Sequence, residues 1–309
     1  MIQKLGSAAL KAIYIILETA LYLFFMTLIT VILHYGIAFI NPFESSSSDL
    51  INPYEELLSE YIPLIIASIA SLLLVHVVIF KRPLSLTGFV RKAWFRELRL
   101  GAVLAWIMLA IGFITLVMFG GIRIDGMDWN TGLFIGFLIM FFIQSSFEEV
   151  VSRAFLIPTI ERRSNVWLAI LGSSLLFSLV HGSNPNVTWL GLTNVFLAGI
   201  LMGMLFVRYR SIWAPIGLHA AWNFLQGTFF GFEVSGHEVY SVFETTETGN
   251  DIITGGAFGF EGSILSVVAL FVVSVLVYIG KPSAFHTLSI YSQYDSQILD
   301  GNNRSHPFD

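Results

Sequence analysis

The chain has no cysteine among its 309 residues, which excludes disulfides, thiolate metal sites and cysteine nucleophiles. It is also poor in charge, with 12% Asp, Glu, Lys and Arg against about 25% in an ordinary soluble domain. Lys and Arg are missing from two stretches, 41–60 and 232–263. The net charge of −5 gives no reason to expect a nucleic-acid partner. What fills the chain instead is apolar: 55% of residues are hydrophobic and the mean hydropathy is +0.77. A soluble protein of this composition could not cover its surface with polar groups, so the sequence implies a chain that lives in lipid.

A helix needs about 20 apolar residues to cross the hydrocarbon core. Eight segments qualify, near 12–40, 61–80, 101–119, 132–160, 165–182, 189–207, 212–231 and 264–280. The fifth is short and the seventh carries polar residues. No ten-residue alternation suggests a β-barrel, and no internal repeat suggests a transporter. The expected fold is therefore all-α, a polytopic membrane protein of about eight transmembrane helices. Leu10 to Ile40 is too long for a cleavable signal peptide and reads as a retained span.

The basic residues gather on one side of an eight-span arrangement. Lys4 and Lys11 precede the first span, and Lys81, Arg82, Arg91, Lys92, Arg96 and Arg99 fill the 81–99 connection. Arg153, Arg162, Arg163, Arg208, Arg210, Lys281 and Arg304 follow on the same side, and Arg123 alone falls on the other. This places both termini in the cytoplasm of an integral, multi-pass protein, with the plasma membrane of a prokaryote as the expected location. The 81–99 connection reads equally as an interfacial amphipathic helix or a plain topology-setting loop. The parts expected are helices over 1–131, a second helical group over 132–231, an exterior loop at 232–263, a last helix at 264–281 and a flexible cytoplasmic tail at 282–309. Asn186-Val187-Thr188 is a formal glycosylation sequon that reads as a chance match.

An ionisable group inside a span costs about 2.5–3.5 kcal/mol on insertion scales and asks for a reason. The fourth span runs Phe141-Phe142-Ile143-Gln144-Ser145-Ser146-Phe147-Glu148-Glu149-Val150-Val151-Ser152-Arg153. The pair could mark the end of the span, but apolar sequence resumes from Ala154 to Ile160, with Pro158 as a kink. On a helix Glu149 and Arg153 share a face at i,i+4 and can pair, while Glu148 lies about 100° around. The fifth span ends Phe177-Ser178-Leu179-Val180-His181, and the seventh contains His219-Ala220-Ala221-Trp222-Asn223. Each of these sets spans one helical turn and places its two end residues on one face. His34 and His76 lack such companions and read as structural. At 1.5 Å per residue, Glu149 and Asn223 come out about 17 Å deep, His219 about 10 Å and His181 about 24 Å. His181 is the outlier, so the fifth helix must tilt or start later than drawn.

Together these segments resemble the CPBP family, the type II CAAX prenyl endopeptidases and bacteriocin-processing, Abi-like proteins, whose motifs EExxxR, FxxxH and HxxxN occur in this order on successive helices. Phe196-Leu197-Ala198-Gly199-Ile200-Leu201-Met202-Gly203 and Ser211-Ile212-Trp213-Ala214-Pro215 resemble the family too, and the resemblance covers about 132–230. Ala154 stands where many members have glycine. The resemblance implies an intramembrane endopeptidase acting on a membrane-anchored or hydrophobic peptide in contact with membrane lipid. It also implies that Glu148, Glu149, His181, His219 and Asn223 are catalytic, with Arg153 and Phe177 supporting.

Weighed by their chemistry, Glu148 held by His181 can activate water, and His219 and Asn223 can donate to the oxyanion. A zinc alternative would use Glu148, His181 and His219 as ligands with water fourth. With no HExxH and no evident carboxylate behind either histidine, the metal-free site, with no cofactor, is the favoured expectation. The serine and aspartyl intramembrane proteases fit worse, since there is no GxSG and no aspartate pair on two helices. Readings from other classes are an ion-coupled transporter using Glu and His as a proton relay, and a silent membrane scaffold.

Overall fold

The computed structural model describes residues 2–40, 51–89, 92–280 and 285. Lys281, Arg304, Arg91 and the 282–309 tail apart from residue 285 lie outside the described residues, as does 41–50. Among the described residues eight helices of 12 residues or more follow one another: α1 (Ile2–Ile40), α2 (Pro53–Ile79), α3 (Trp94–Met118), α4 (Thr131–Glu161), α5 (Val166–Ser183), α6 (Trp189–Tyr209), α7 (Trp213–Phe224) and α8 (Ile264–Gly280). The fold is an all-α, polytopic membrane architecture. Six of them, α1 to α6, are long and apolar enough to cross a membrane by length and composition. The other two expected spans are present as shorter helices. α8 has 17 residues, about 26 Å at the α-helical rise. α7 continues through a widened π turn, Leu225–Phe229.

The mixed hydropathy of α7 follows from its position. Ten of its 12 residues are buried inside the protein, so it faces other helices and not lipid. α1 is the opposite case: Leu10, Ile13, Leu17, Phe24 and Ile32 are all exposed on its surface.

Local chemistry sets the helix starts. Asn130 caps α4 by accepting from the Leu133 N–H, Asn165 caps α5 by accepting from Leu168, and Thr188 caps α6 by accepting from Gly191. Such caps satisfy backbone donors that have no partner in the first turn. Thr188 of the formal sequon thus serves as a helix cap. α4 is not a uniform α-helix, because Val150–Leu156 is a π-helical stretch directly after Glu149. Pro158 follows it, and a widened turn suits a residue with no N–H and a bulky ring.

The 81–99 connection is shorter than the sequence suggested, because α3 already begins at Trp94. Among the described residues its only helical piece is the short 3₁₀ turn Leu84–Thr87, so no long interfacial helix forms there. Its Arg82 turns inward onto Glu18.

α3 packs along α7, and two glycines set how closely. A Cβ on Gly101 would lie 2.1 Å from the Ala214 carbonyl oxygen, and one on Gly217 would lie 2.0 Å from that of Leu98. Small residues let helix backbones meet in this way, and here they hold α7 two residues before His219. The 232–263 segment is ordered structure. Its strand β2 (Phe243–Glu247) pairs antiparallel with β1 (Ile122–Met127), with an irregularity between Ile124 and Gly126. This two-stranded ribbon is the one element type the all-α expectation lacked.

Candidate active site

Glu148 and Glu149 leave α4 in different directions, as their spacing requires. Glu149 is wholly buried. Its Oε2 lies 3.1 Å from Arg153 Nε, and its Oε1 accepts a hydrogen bond from His219 Nδ1 at 2.9 Å. Arg153 is also wholly buried, with its guanidinium 4.6 Å over the Phe177 ring and one N–H reaching the Gly199 carbonyl at 3.4 Å. Phe177 lies 4.6 Å from the His181 ring and edge-on to that of His219 at 5.7 Å. One aromatic ring therefore touches a cation and both imidazoles, and fixes their spacing.

Glu148 faces the cavity. Its Oε2 is buried and has no hydrogen-bond partner, but stands 3.9 Å from His181 Nε2 and 3.8 Å from His219 Nε2. The other nitrogen of each ring decides what those Nε2 atoms can be. His181 Nδ1 lies 2.8 Å from the Phe177 carbonyl oxygen, which can only accept, so Nδ1 carries the proton. His219 Nδ1 donates to the Glu149 carboxylate for the same reason. In the neutral rings both Nε2 atoms are acceptors. Three acceptors thus converge on one small space and require a donor, either a proton on a ring or a water.

Two imidazoles and a carboxylate form a donor set of the kind that holds zinc. The donor types suit it, and both histidines have the partner behind them that a metal ligand needs. For His219 that partner is the Glu149 carboxylate, which the sequence did not reveal. The spacing does not suit zinc: bonds of about 2.0–2.2 Å in a tetrahedron bring ligand atoms to roughly 3.3–3.5 Å of one another. Among the described residues no group of three His, Cys, Asp or Glu is spaced to hold a metal ion.

The cavity in front of these groups measures about 650 Å³, within the usual range for ligand sites. Glu148, His181, His219 and Asn223 all line it, together with Leu23 of α1 and Leu64 of α2. His181 reaches Glu148 although α5 starts at Val166, one residue from the expected boundary; the two side chains meet across the remaining offset. His34 and His76 lie elsewhere, facing the Ser59 and Pro83 carbonyls.

Polar residues that the sequence did not mark also line the cavity, among them Asn194, Ser235 and Glu261. Asn194 of α6 is buried and its amide nitrogen has no partner. Ser235 and Glu261 come from the 232–263 segment, and the Ser235 hydroxyl donates to Glu261 at 2.5 Å. Asn194 lies in an apolar span and could have been found by the same rule that found Glu148.

Residues 130–225 match the family model described as type II CAAX prenyl endopeptidase, Rce1-like. The match starts at the cap of α4 and ends two residues after Asn223, so it contains every residue of the three motifs. It supports membership of the CPBP group of proteases for this part of the chain. No curated protein matches the chain.

Proposed function

We propose that this chain, which carries a domain of the CAAX-type intramembrane proteases over residues 130–225, hydrolyses a peptide bond in a membrane-anchored or hydrophobic peptide without a metal. The observation that carries the mechanism is the unpartnered Glu148 Oε2 facing two imidazole Nε2 atoms across 3.8 and 3.9 Å. Those gaps exceed a direct hydrogen bond and suit a water held between them.

In this reading Glu148 is the general base. His181 orients the water, and Glu148 takes its proton as the oxygen attacks the peptide carbonyl carbon. Asn223 and His219 donate to the oxyanion that forms. His219 has already committed its Nδ1–H to Glu149, so it serves as an oxyanion donor through Nε2–H, as the imidazolium. Arg153 balances Glu149 and leaves Glu148 free to act. Leu23 and Met26 of α1 and Leu64 of α2 give the cavity an apolar stretch of wall, which suits a substrate that arrives from the lipid.

The test is cleavage of lipidated and unlipidated reporter peptides by purified protein in detergent, compared with Glu148→Gln. No cleavage by the unaltered protein, or equal cleavage by the variant, would sink the reading. The distribution of Lys and Arg supports cytoplasmic termini in a prokaryotic plasma membrane. Labelling of Ser289→Cys from outside intact cells, with Ser47→Cys protected, would reverse that assignment.

A further inference from the structure

Peptide hydrolysis needs two proton transfers, and the site described so far supplies one. Glu148 removes a proton from water, but the departing nitrogen must also receive one, because an amide anion is too poor a leaving group. Among the residues of the three motifs, the one proton left to return is the proton that Glu148 takes from water, since the His219 Nε2–H serves the oxyanion. His181 and His219 have their Nδ1 protons engaged, and Glu149 is paired with Arg153.

Three carboxyl groups from outside the matched region line the same cavity, Glu56 and Glu60 of α2 and Glu261, and of these Glu261 alone is buried. Glu261 sits on the turn Phe260–Gly262, is 8% exposed and lines the cavity with Glu148, His181 and His219. Its placement is built, not incidental. Phe258 and Phe260 on either side of Gly259 are buried in the helical core. Gly259 has φ +86°, and a Cβ there would lie 1.9 Å from the Glu233 carbonyl oxygen, so the turn can close only on glycine. The same carbonyl accepts from the Gln226 side chain at the end of α7, at 2.7 Å. The Gly236 N–H binds the Phe258 carbonyl, which brings Ser235 under Glu261. Burial pushes the Glu261 carboxyl above the usual range, against the opposing pull of the Ser235 hydroxyl and the two imidazoles. A carboxyl group whose ionised form is disfavoured in this way is suited to serve as a proton donor.

We infer that Glu261, held by Ser235, is a further catalytic residue, the acid that protonates the departing amine. The inference rests on the hydrolase reading above. The steps balance as follows. The water oxygen bonds to the carbonyl carbon while Glu148 takes a water proton. The C–N bond then breaks with its electron pair going to nitrogen, and nitrogen receives the proton of Glu261. Glu148 releases its proton to solvent and Glu261 regains one from it. One water is consumed, and one carboxyl and one amine product are formed.

The experiment compares a peptide amide reporter with its matching 4-nitrophenyl ester, whose leaving group departs as a stable phenolate and needs no acid. Glu261→Gln keeps the size and the hydrogen bond to Ser235 but has no proton to give. We expect amide turnover to fall on the order of 10²-fold or more, with ester turnover within about threefold of the unaltered protein. Glu261→Asp, which keeps an acid on a shorter arm, should restore part of the amide rate, and it stands in for the comparison where Glu261→Gln does not fold. Equal losses on amide and ester would make Glu261 a structural pin of the loop and overturn the inference. So would an undiminished amide rate. Failure of the unaltered protein to cleave either reporter would instead overturn the hydrolase reading, and the inference with it.

Discussion

Two glutamates on the spans of this bundle, Glu18 buried and Glu148 with one buried carboxylate oxygen, have opposite surroundings. Glu18, on α1, is contacted by Arg82 and by Arg163, the latter at 2.6 Å, and accepts from the Thr159 hydroxyl at 3.3 Å. Among the described residues Glu148 meets no guanidinium, and one of its oxygens has no hydrogen-bond partner. Glu18 ties α1 to α4 and to the turn after α2, which is a structural task. Glu148 faces a cavity with two histidines across a gap. Burial of a carboxylate is common to both; what separates them is whether its hydrogen-bonding capacity is used up. A carboxylate saturated by guanidinium has no lone pair left for a water, whereas Glu148 has. The nearby Glu161 belongs with Glu18, since Arg210 holds it through two hydrogen bonds of 2.8 and 3.0 Å.

The largest effect should come from Glu148→Gln. It preserves shape and removes basicity, so turnover should drop on the order of 10²–10⁴-fold while thermal unfolding stays near that of the unaltered protein. Near-normal turnover would break the contrast with Glu18 and strip Glu148 of its role. Glu149→Gln should act on both quantities. It leaves the wholly buried Arg153 without a countercharge, a change that costs about 3–5 kcal/mol in other buried pairs, and it weakens the hold on His219. A lower unfolding temperature together with reduced turnover is expected. A variant that folds normally yet is wholly inactive would mean that the two glutamates exchange roles.

The three motifs were legible because each polar residue lies in an apolar run, where it costs energy, and because one helical turn separates its members. The structure brings Glu148, His181, His219 and Asn223 to one cavity wall together with Phe177, and Glu149 and Arg153 lie wholly buried behind them. The Glu18 cluster escaped notice although Glu18 breaks the same rule, because its partners lie 64 and 145 residues away. Nothing local shows that Arg82, in a loop rich in basic residues, is the one turned inward. The 232–263 segment was opaque for a different reason. It has no long hydrophobic period, and its glycines read as breakers in a loop. Their function is to permit close backbone approaches that become visible only when Glu233, Pro185 and Gly255 are in place. The β1–β2 ribbon joins strands of six and five residues, too short to declare themselves.

Glu18→Gln sharpens the comparison with a smaller effect. The substitution leaves Arg82 and Arg163 without their carboxylate, but Arg163 is partly exposed and can turn to solvent. A destabilisation of about 1–3 kcal/mol is expected, seen as a lower unfolding temperature, with turnover per folded molecule unchanged. A large loss of turnover at full stability would show that the α1 cluster takes part in the chemistry, and the distinction between saturated and unsaturated carboxylates would fail.

The smallest effect expected is none at all, from removal of metal. The donor set of Glu148, His181 and His219 is chemically fit for zinc, and Glu149 behind His219 strengthens that fitness, so the question turns on geometry. Gaps of 3.8 and 3.9 Å let a water lie between the groups and keep them from sharing one ion. The same atoms would have to close by roughly half an ångström to bind zinc at its ordinary bond lengths. Phe177 resists that closure, since its ring packs against both imidazoles and against Arg153 at once. Treatment with a strong chelator should therefore leave turnover unchanged, and metal analysis of active protein should find far less than one zinc per chain. Stoichiometric zinc, with activity lost on its removal and regained on its return, would show that the three groups close on an ion, and Glu148 would then be a ligand and not the base.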